Sequence, residues 1–217
     1  MSEFGDLRAT NPPSPDPRKD AAERPACLAW SPAGDRVVFI PNSTTGEGKE
    51  VHWTAVVTSF GSPSWAVLPH GTAPVTAVAW SPDGKTVASG CRLGDVVLWD
   101  AKTYKELRRI QLGGRGRDRW IRTLVFAPDS QTLAAAVSFD EGKNAERVVM
   151  LDPTTGERRG NDLQGFGSLT PVALAFAPDG RTLAVGLADF LPQVQLPPGG
   201  EPRPLGSVVL FTTDPER

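Results

Sequence analysis

The chain has 217 residues, of which 39% are hydrophobic and 22% charged, with a formal net charge of -2. That length supports one domain with a packed core, and the near-neutral balance argues against nucleic acid or an anionic membrane surface as the main partner. No apolar run reaches the roughly 18 residues of a membrane-spanning helix, and the opening residues lack the apolar centre of a signal peptide. Gly (22) and Pro (21) recur throughout and punctuate every stretch that could form a long helix.

Residues 1–25 carry Pro12, Pro13, Pro15, Pro17 and Pro25 among charged side chains. Such a segment buries too little apolar area to offset the entropy of ordering, so a flexible tail is expected. Cys27 opens a hairpin that runs to Ile40 through Ala29-Trp30-Ser31-Pro32-Ala33-Gly34. A polar loop follows at 41–50. A third strand is predicted at 53–58 and a fourth at 65–68.

The second unit repeats this order more clearly. Val75 to Trp80 alternates like a strand and Ser81-Pro82-Asp83-Gly84 supplies a turn. Proline sets φ at the first central position and glycine accepts a positive φ. Strands are predicted from Lys85 to Ser89, from Val96 to Asp100 and from Glu106 to Leu112. Tyr104 to Ile110 would also tolerate a helix.

Residues 113–122 join the second unit to the third. Strands are then predicted at 124–127, 132–137 and 148–151, with an insertion at 138–146. The fourth unit has strands at 172–177, 182–187 and 208–211, with a longer proline-rich insertion at 188–206. Polar loops on a rigid scaffold often carry recognition, whereas drift in tolerant outer loops needs no function.

The motif prolines Pro32, Pro82, Pro128 and Pro178 are 50, 46 and 50 residues apart. That period marks a repeat architecture. Each unit reads as a four-stranded antiparallel meander, and the fold class is all-β. One meander cannot cover both of its apolar faces, but radial packing of several can.

These repeats resemble WD40 repeats, in the divergent form with Ser-Pro-Asp-Gly at the first turn. The resemblance spans about 26–213, leaving 1–25 and 214–217 as tails, and implies blades of a WD40-type β-propeller. It also implies a network of His, Ser or Thr, Asp and Trp that locks a blade. His70, Ser89 and Trp99 match three of those positions, with Asp100 closing the strand. Leu93 stands where the aspartate is expected. Leu151 and Phe211 replace the strand-end tryptophan in the third and fourth units. Propellers of this kind usually have six to eight blades, and about four fit here. The propeller is therefore incomplete or completed by association: a fragment of a longer protein, a chain that pairs with a second copy or another chain, or a small open propeller.

Candidate chemistry is sparse. His52 and His70 have no clustered cysteine partner, so no metal is expected. Ser, His and Asp occur in no recognisable nucleophile order. Gly113-Gly114-Arg115-Gly116 lacks the lysine of a phosphate loop, so no cofactor is expected. Asp83, Asp129 and Asp179 recur because they shape turns. Arg115, Arg117, Arg119, Trp120 and Arg122 form the leading candidate binding segment, since arginine and aromatic residues are enriched at interfaces. Their solvated-loop reading also stands, and Asp118 interrupts the charge.

The resemblance implies a protein- or peptide-binding scaffold without catalysis. A propeller-borne hydrolase or oxidoreductase is the alternative, as is a fragment without independent activity. Cys27 and Cys91 are the only cysteines. Two cysteines make no disulfide framework, which points to a reducing cytoplasm.

Overall fold

Turn chemistry sets the period of the fold. The computed structural model describes residues 27–40, 54–59, 65–71, 73–112, 119–139, 146–167, 169–188 and 206–213. The expected tails, the polar loop at 41–50 and both insertions lie wholly or mainly outside these residues.

Four antiparallel sheets follow one another along the chain. The first contains β1 (Leu28–Trp30), β2 (Arg36–Phe39), β3 (Ala55–Ser59) and β4 (Trp65–Leu68). The second contains β5 (Val75–Trp80), β6 (Thr86–Cys91), β7 (Asp95–Asp100) and β8 (Glu106–Gln111). The third contains β9 (Arg119–Phe126), β10 (Leu133–Phe139) and β11 (Arg147–Leu151). The fourth contains β12 (Thr170–Phe176), β13 (Thr182–Ala188) and β14 (Gly206–Thr212). No helix occurs among the described residues, and the helix-tolerant stretch after Tyr104 is β8.

The four repeated turns close alike. Gly34, Gly84, Ser130 and Gly180 each donate a backbone hydrogen bond to the residue three positions earlier, at 2.9 Å. All four have positive φ, between 61° and 74°. Asp83, Asp129 and Asp179 accept from the backbone two residues on, at 2.8–3.0 Å. Ser130 is the exception among glycines. Its hydroxyl accepts from Asp83 N at 3.0 Å, a contact between neighbouring sheets that offsets part of the conformational cost.

A second device recurs on the opposite ends of these strands. Register shifts leave Thr76, Arg122 and Val172 as extra residues in β5, β9 and β12. Such bulges re-aim a side chain. Thr76 Oγ1 thereby reaches Ile121 O in the next sheet at 2.6 Å.

Three apolar layers fill the spaces between successive sheets. Neighbouring residues face opposite layers, as period two requires. Leu98 packs toward the third sheet and Trp99 toward the first.

Two expectations change. The predicted strand at 124–127 begins instead at Arg119, because the extra residue Arg122 resets the alternation and brings buried Ile121 into the same layer as Leu124 and Phe126. The binding candidate is therefore partly a strand rather than a linker loop. In the third sheet the fourth position holds an irregular segment, bridged only at Arg158 and Leu163. Glycines at 156, 160, 165 and 167, all with positive φ, keep that stretch from running as a regular strand.

Candidate protein-interaction site

The second sheet carries the polar network that the sequence singles out. Trp99 Nε1 donates to Ser89 Oγ at 2.8 Å, with both side chains buried. His70 is also buried, and its Nε2 lies 3.3 Å from the backbone oxygen of Ser89 rather than its hydroxyl. Burial holds the imidazole below its ordinary pKa, against the raising effect of the Ser89 bond.

Leu93 is exposed and takes no part. Two residues later, Asp95 pairs with Arg109 at 3.7 Å, and Arg109 Nη1 donates to His70 O at 3.1 Å. Sequence reasoning missed this link because it looked for the carboxylate before Gly94. Asp100 caps the following turn, accepting from Thr103 N at 2.6 Å and Lys102 N at 3.1 Å.

The arginine-aromatic candidate splits in two. Arg115 and Arg117 lie outside the described residues, and Arg119 is placed only as the first residue of β9. Trp120 and Arg122 are brought together, and a residue absent from the sequence-level set joins them. Arg92, from the turn between β6 and β7, places its guanidinium carbon 4.0 Å from the Trp120 ring centroid. The corresponding carbon of Arg122 is 4.7 Å away. Both distances fall within cation–π range. The only sequence signal for Arg92 was its place in a loop at the same end of the strands.

A polar chain fixes Arg122 from behind. Its Nε donates to Ser138 Oγ at 2.7 Å, and that hydroxyl lies 2.7 Å from Glu146 Oε2. Thr170 Oγ1, on the fourth sheet, reaches Glu146 Oε1 at 3.4 Å. Burial raises the Glu146 pKa, against the Ser138 bond and the Arg122 charge. Burial also lowers that of Arg122, against the opposing effect of Glu146. The arrangement can hold an anionic or hydrogen-bonding group against a prepositioned ring. Among the described residues no three His, Cys, Asp or Glu side chains converge as a metal site.

A family model described as WD domain, G-beta repeat, matches residues 62–100. The chain carries a WD40 repeat. The WD40 match starts at β4 and ends with β7, so the sequence unit is offset by one strand from the sheet. Over 127 residues the chain is 32% identical to small ribosomal subunit protein RACK1 of Schizosaccharomyces pombe, covering 55% of this chain and 37% of that protein. Over 83 residues it is 28% identical to Cell division cycle 20.1, cofactor of APC complex, of Arabidopsis thaliana, covering 38% of this chain and 15% of that one. The chain thus spans little more than a third of the RACK1 relatives it matches.

Among solved structures, Kuenenia stuttgartiensis hydrazine synthase aligns with a TM-score of 0.56 at 18% identity, covering 76% of this chain and 42% of that chain. The Myceliophteria thermophila Cps50 (Swd1) β-propeller domain aligns at 0.52 and 18% identity, covering 76% of this chain and 49% of that one. At such identity the likeness concerns the fold alone. That fold is an all-β propeller of antiparallel blades.

Proposed function

We propose that the chain is a protein-interaction scaffold, with no catalysis of its own, that captures an acidic peptide segment at Arg92, Trp120 and Arg122. The observation that carries this reading is the pair of guanidinium groups 4.0 and 4.7 Å from one indole ring. Arginine and tryptophan dominate interface hot spots. Side chains already held against one another lose less entropy on binding. Arg115, Arg117 and Arg119 lie just upstream in sequence and add positive charge to the segment.

The WD-repeat relatives support a scaffold: one is named as a ribosomal subunit protein and another as a cofactor of a complex. Two unpaired cysteines support a reducing, cytoplasmic setting.

Fluorescence polarisation with a panel of acidic, neutral and basic peptides tests the site. Acidic peptides should bind best. Trp120→Ala should weaken binding about ten-fold or more, in the range of an interface hot spot. Equal binding of all classes, or acidic-peptide binding unaffected by Trp120→Ala and Arg92→Ala, contradicts the assignment.

A further inference from the structure

Behind the Arg92, Trp120 and Arg122 cluster lies a charged group that the peptide site does not itself present. Glu146 immediately precedes β11 and is half-buried where the third sheet meets the fourth. Ser138 of β10 donates to its carboxylate, 2.7 Å from Oε2 and 2.9 Å from Oε1. Thr170 of β12 donates to Oε1 at 3.4 Å. Arg122 of β9 stands one hydrogen bond further out, its Nε donating to the same Ser138 hydroxyl at 2.7 Å. A hydroxyl carries one proton. With that proton directed at Glu146, the Ser138 oxygen is left to accept from Arg122. The chain therefore runs one way, from guanidinium to carboxylate. Arg147, the next residue, pairs with Asp162 at 3.5 Å.

This chain puts a negative charge two hydrogen bonds behind one of the two guanidinium groups on the Trp120 ring. Burial works against the Arg122 charge, Glu146 supports it and Arg92 opposes it. An anion seated at the ring meets the attraction of Arg92 and Arg122 together with the repulsion of Glu146. Repulsion grows in proportion to the anion's charge, so Glu146 opposes a doubly charged segment about twice as strongly as a singly charged one.

We propose that Glu146 is a specificity-determining residue of the peptide site: its carboxylate holds down the preference for segments with two acidic charges over segments with one. The inference rests on the reading of Arg92, Trp120 and Arg122 as that site. Glu146 acts by charge at a distance, whereas Ser138 positions Arg122. The same arrangement makes the selectivity depend on pH. Among the described residues, Arg122, Ser138 and Thr170 face Glu146, with Arg92 beyond. Guanidinium and hydroxyl groups do not titrate between about pH 4 and 8, so among these groups Glu146 is the one that changes. Burial raises its pKa, against the Ser138 bond and the Arg122 charge. Its repulsion is thus present at neutral pH and fades as pH falls through the raised value.

Fluorescence polarisation with two peptides, identical except for one or two cysteic acid residues, tests the proposal, because sulfonates keep their charge over this range. At about pH 7.5 the ratio of two-charge to one-charge affinity should rise roughly five-fold in Glu146→Gln, the size of one further unit-charge interaction across several ångströms of partly screened medium. Ser138→Ala should weaken both peptides alike and leave the ratio unchanged. In the native chain the ratio should climb as pH is lowered to the ordinary carboxyl value of 4.5, a readout that needs no substitution. Glu146→Gln should lack that climb. A ratio unchanged in Glu146→Gln, or a native ratio independent of pH, overturns the proposal, while binding that still depends on Trp120 leaves the site standing. A Ser138→Ala ratio that moves as far as that of Glu146→Gln also overturns it, since placement of Arg122 rather than charge would then set the preference. Binding of neither peptide, or binding insensitive to Trp120→Ala, removes the site and the proposal with it.

Discussion

Trp99 concentrates several demands in one residue. It is 1% exposed, packs between the first and second sheets, and satisfies the buried Ser89 hydroxyl. Trp99→Ala should destabilise the chain by about 3–5 kcal/mol, the range for truncating a large buried aromatic. Urea unfolding measures it, and a loss below about 1 kcal/mol would contradict the packing role. Gly90 is the reverse case. A Cβ there would lie 2.6 Å from Ile121 Cβ, so Gly90→Ala should cost about 1–3 kcal/mol by overpacking the junction. His70 sets a pH dependence. Its folded pKa lies below the ordinary 6.5, so its contribution is present above that value and is lost as pH falls through the lower folded value. His70→Gln should flatten that part of the acid limb in denaturation profiles. An unchanged profile would show that the imidazole is not the titrating group. Tryptophan and glycine differ in how far their roles can be read. The strand-end Trp99 was legible because repeat spacing placed it, but the need for glycine at 90 depends on a neighbour 31 positions later in sequence.

Strands and turns were mostly legible because their causes are local. Pro-Asp-Gly fixes each hairpin, and alternation fixes which side chains face inward. The start of β9 was not. Trp120, Ile121 and Arg122 follow a run of arginines and glycines, and only Ile121 reports the buried face. The bulges were equally hidden, since an extra residue leaves no composition signal. Their consequences are measurable at this scale. Thr76 Oγ1 donates its one proton to Ile121 O at 2.6 Å, tying the second sheet to the third, with Gly90 O of its own sheet 3.3 Å away. Thr76→Val keeps the shape and removes the donor. It should cost about 1–2 kcal/mol in unfolding, the price of a buried hydrogen bond and its orphaned acceptor. A neutral result would show that apolar packing alone holds these sheets. The Arg92, Trp120 and Arg122 cluster arises because a turn of one sheet meets a bulged strand of the next. Sequence reasoning could therefore name two of its members and not the third.

The whole molecule is a stack of repeats whose stability passes through neighbours. Among the described residues, the second and third sheets pack on both faces and the first and fourth on one. Trp30 and Trp65 of the first sheet and Val208 and Leu210 of the fourth are more than half exposed, and β14 leaves a strand edge unpaired among the described residues. The chain's period made the four units legible, but which faces lack cover required the register. Hydrogen exchange of the native chain tests most directly that each sheet owes its stability to its neighbours. β5 to β7, β9 and β10, packed on both faces, should exchange slowly, while β1, β4, β12 and β14 should exchange faster. Equal protection of all four sheets would contradict it.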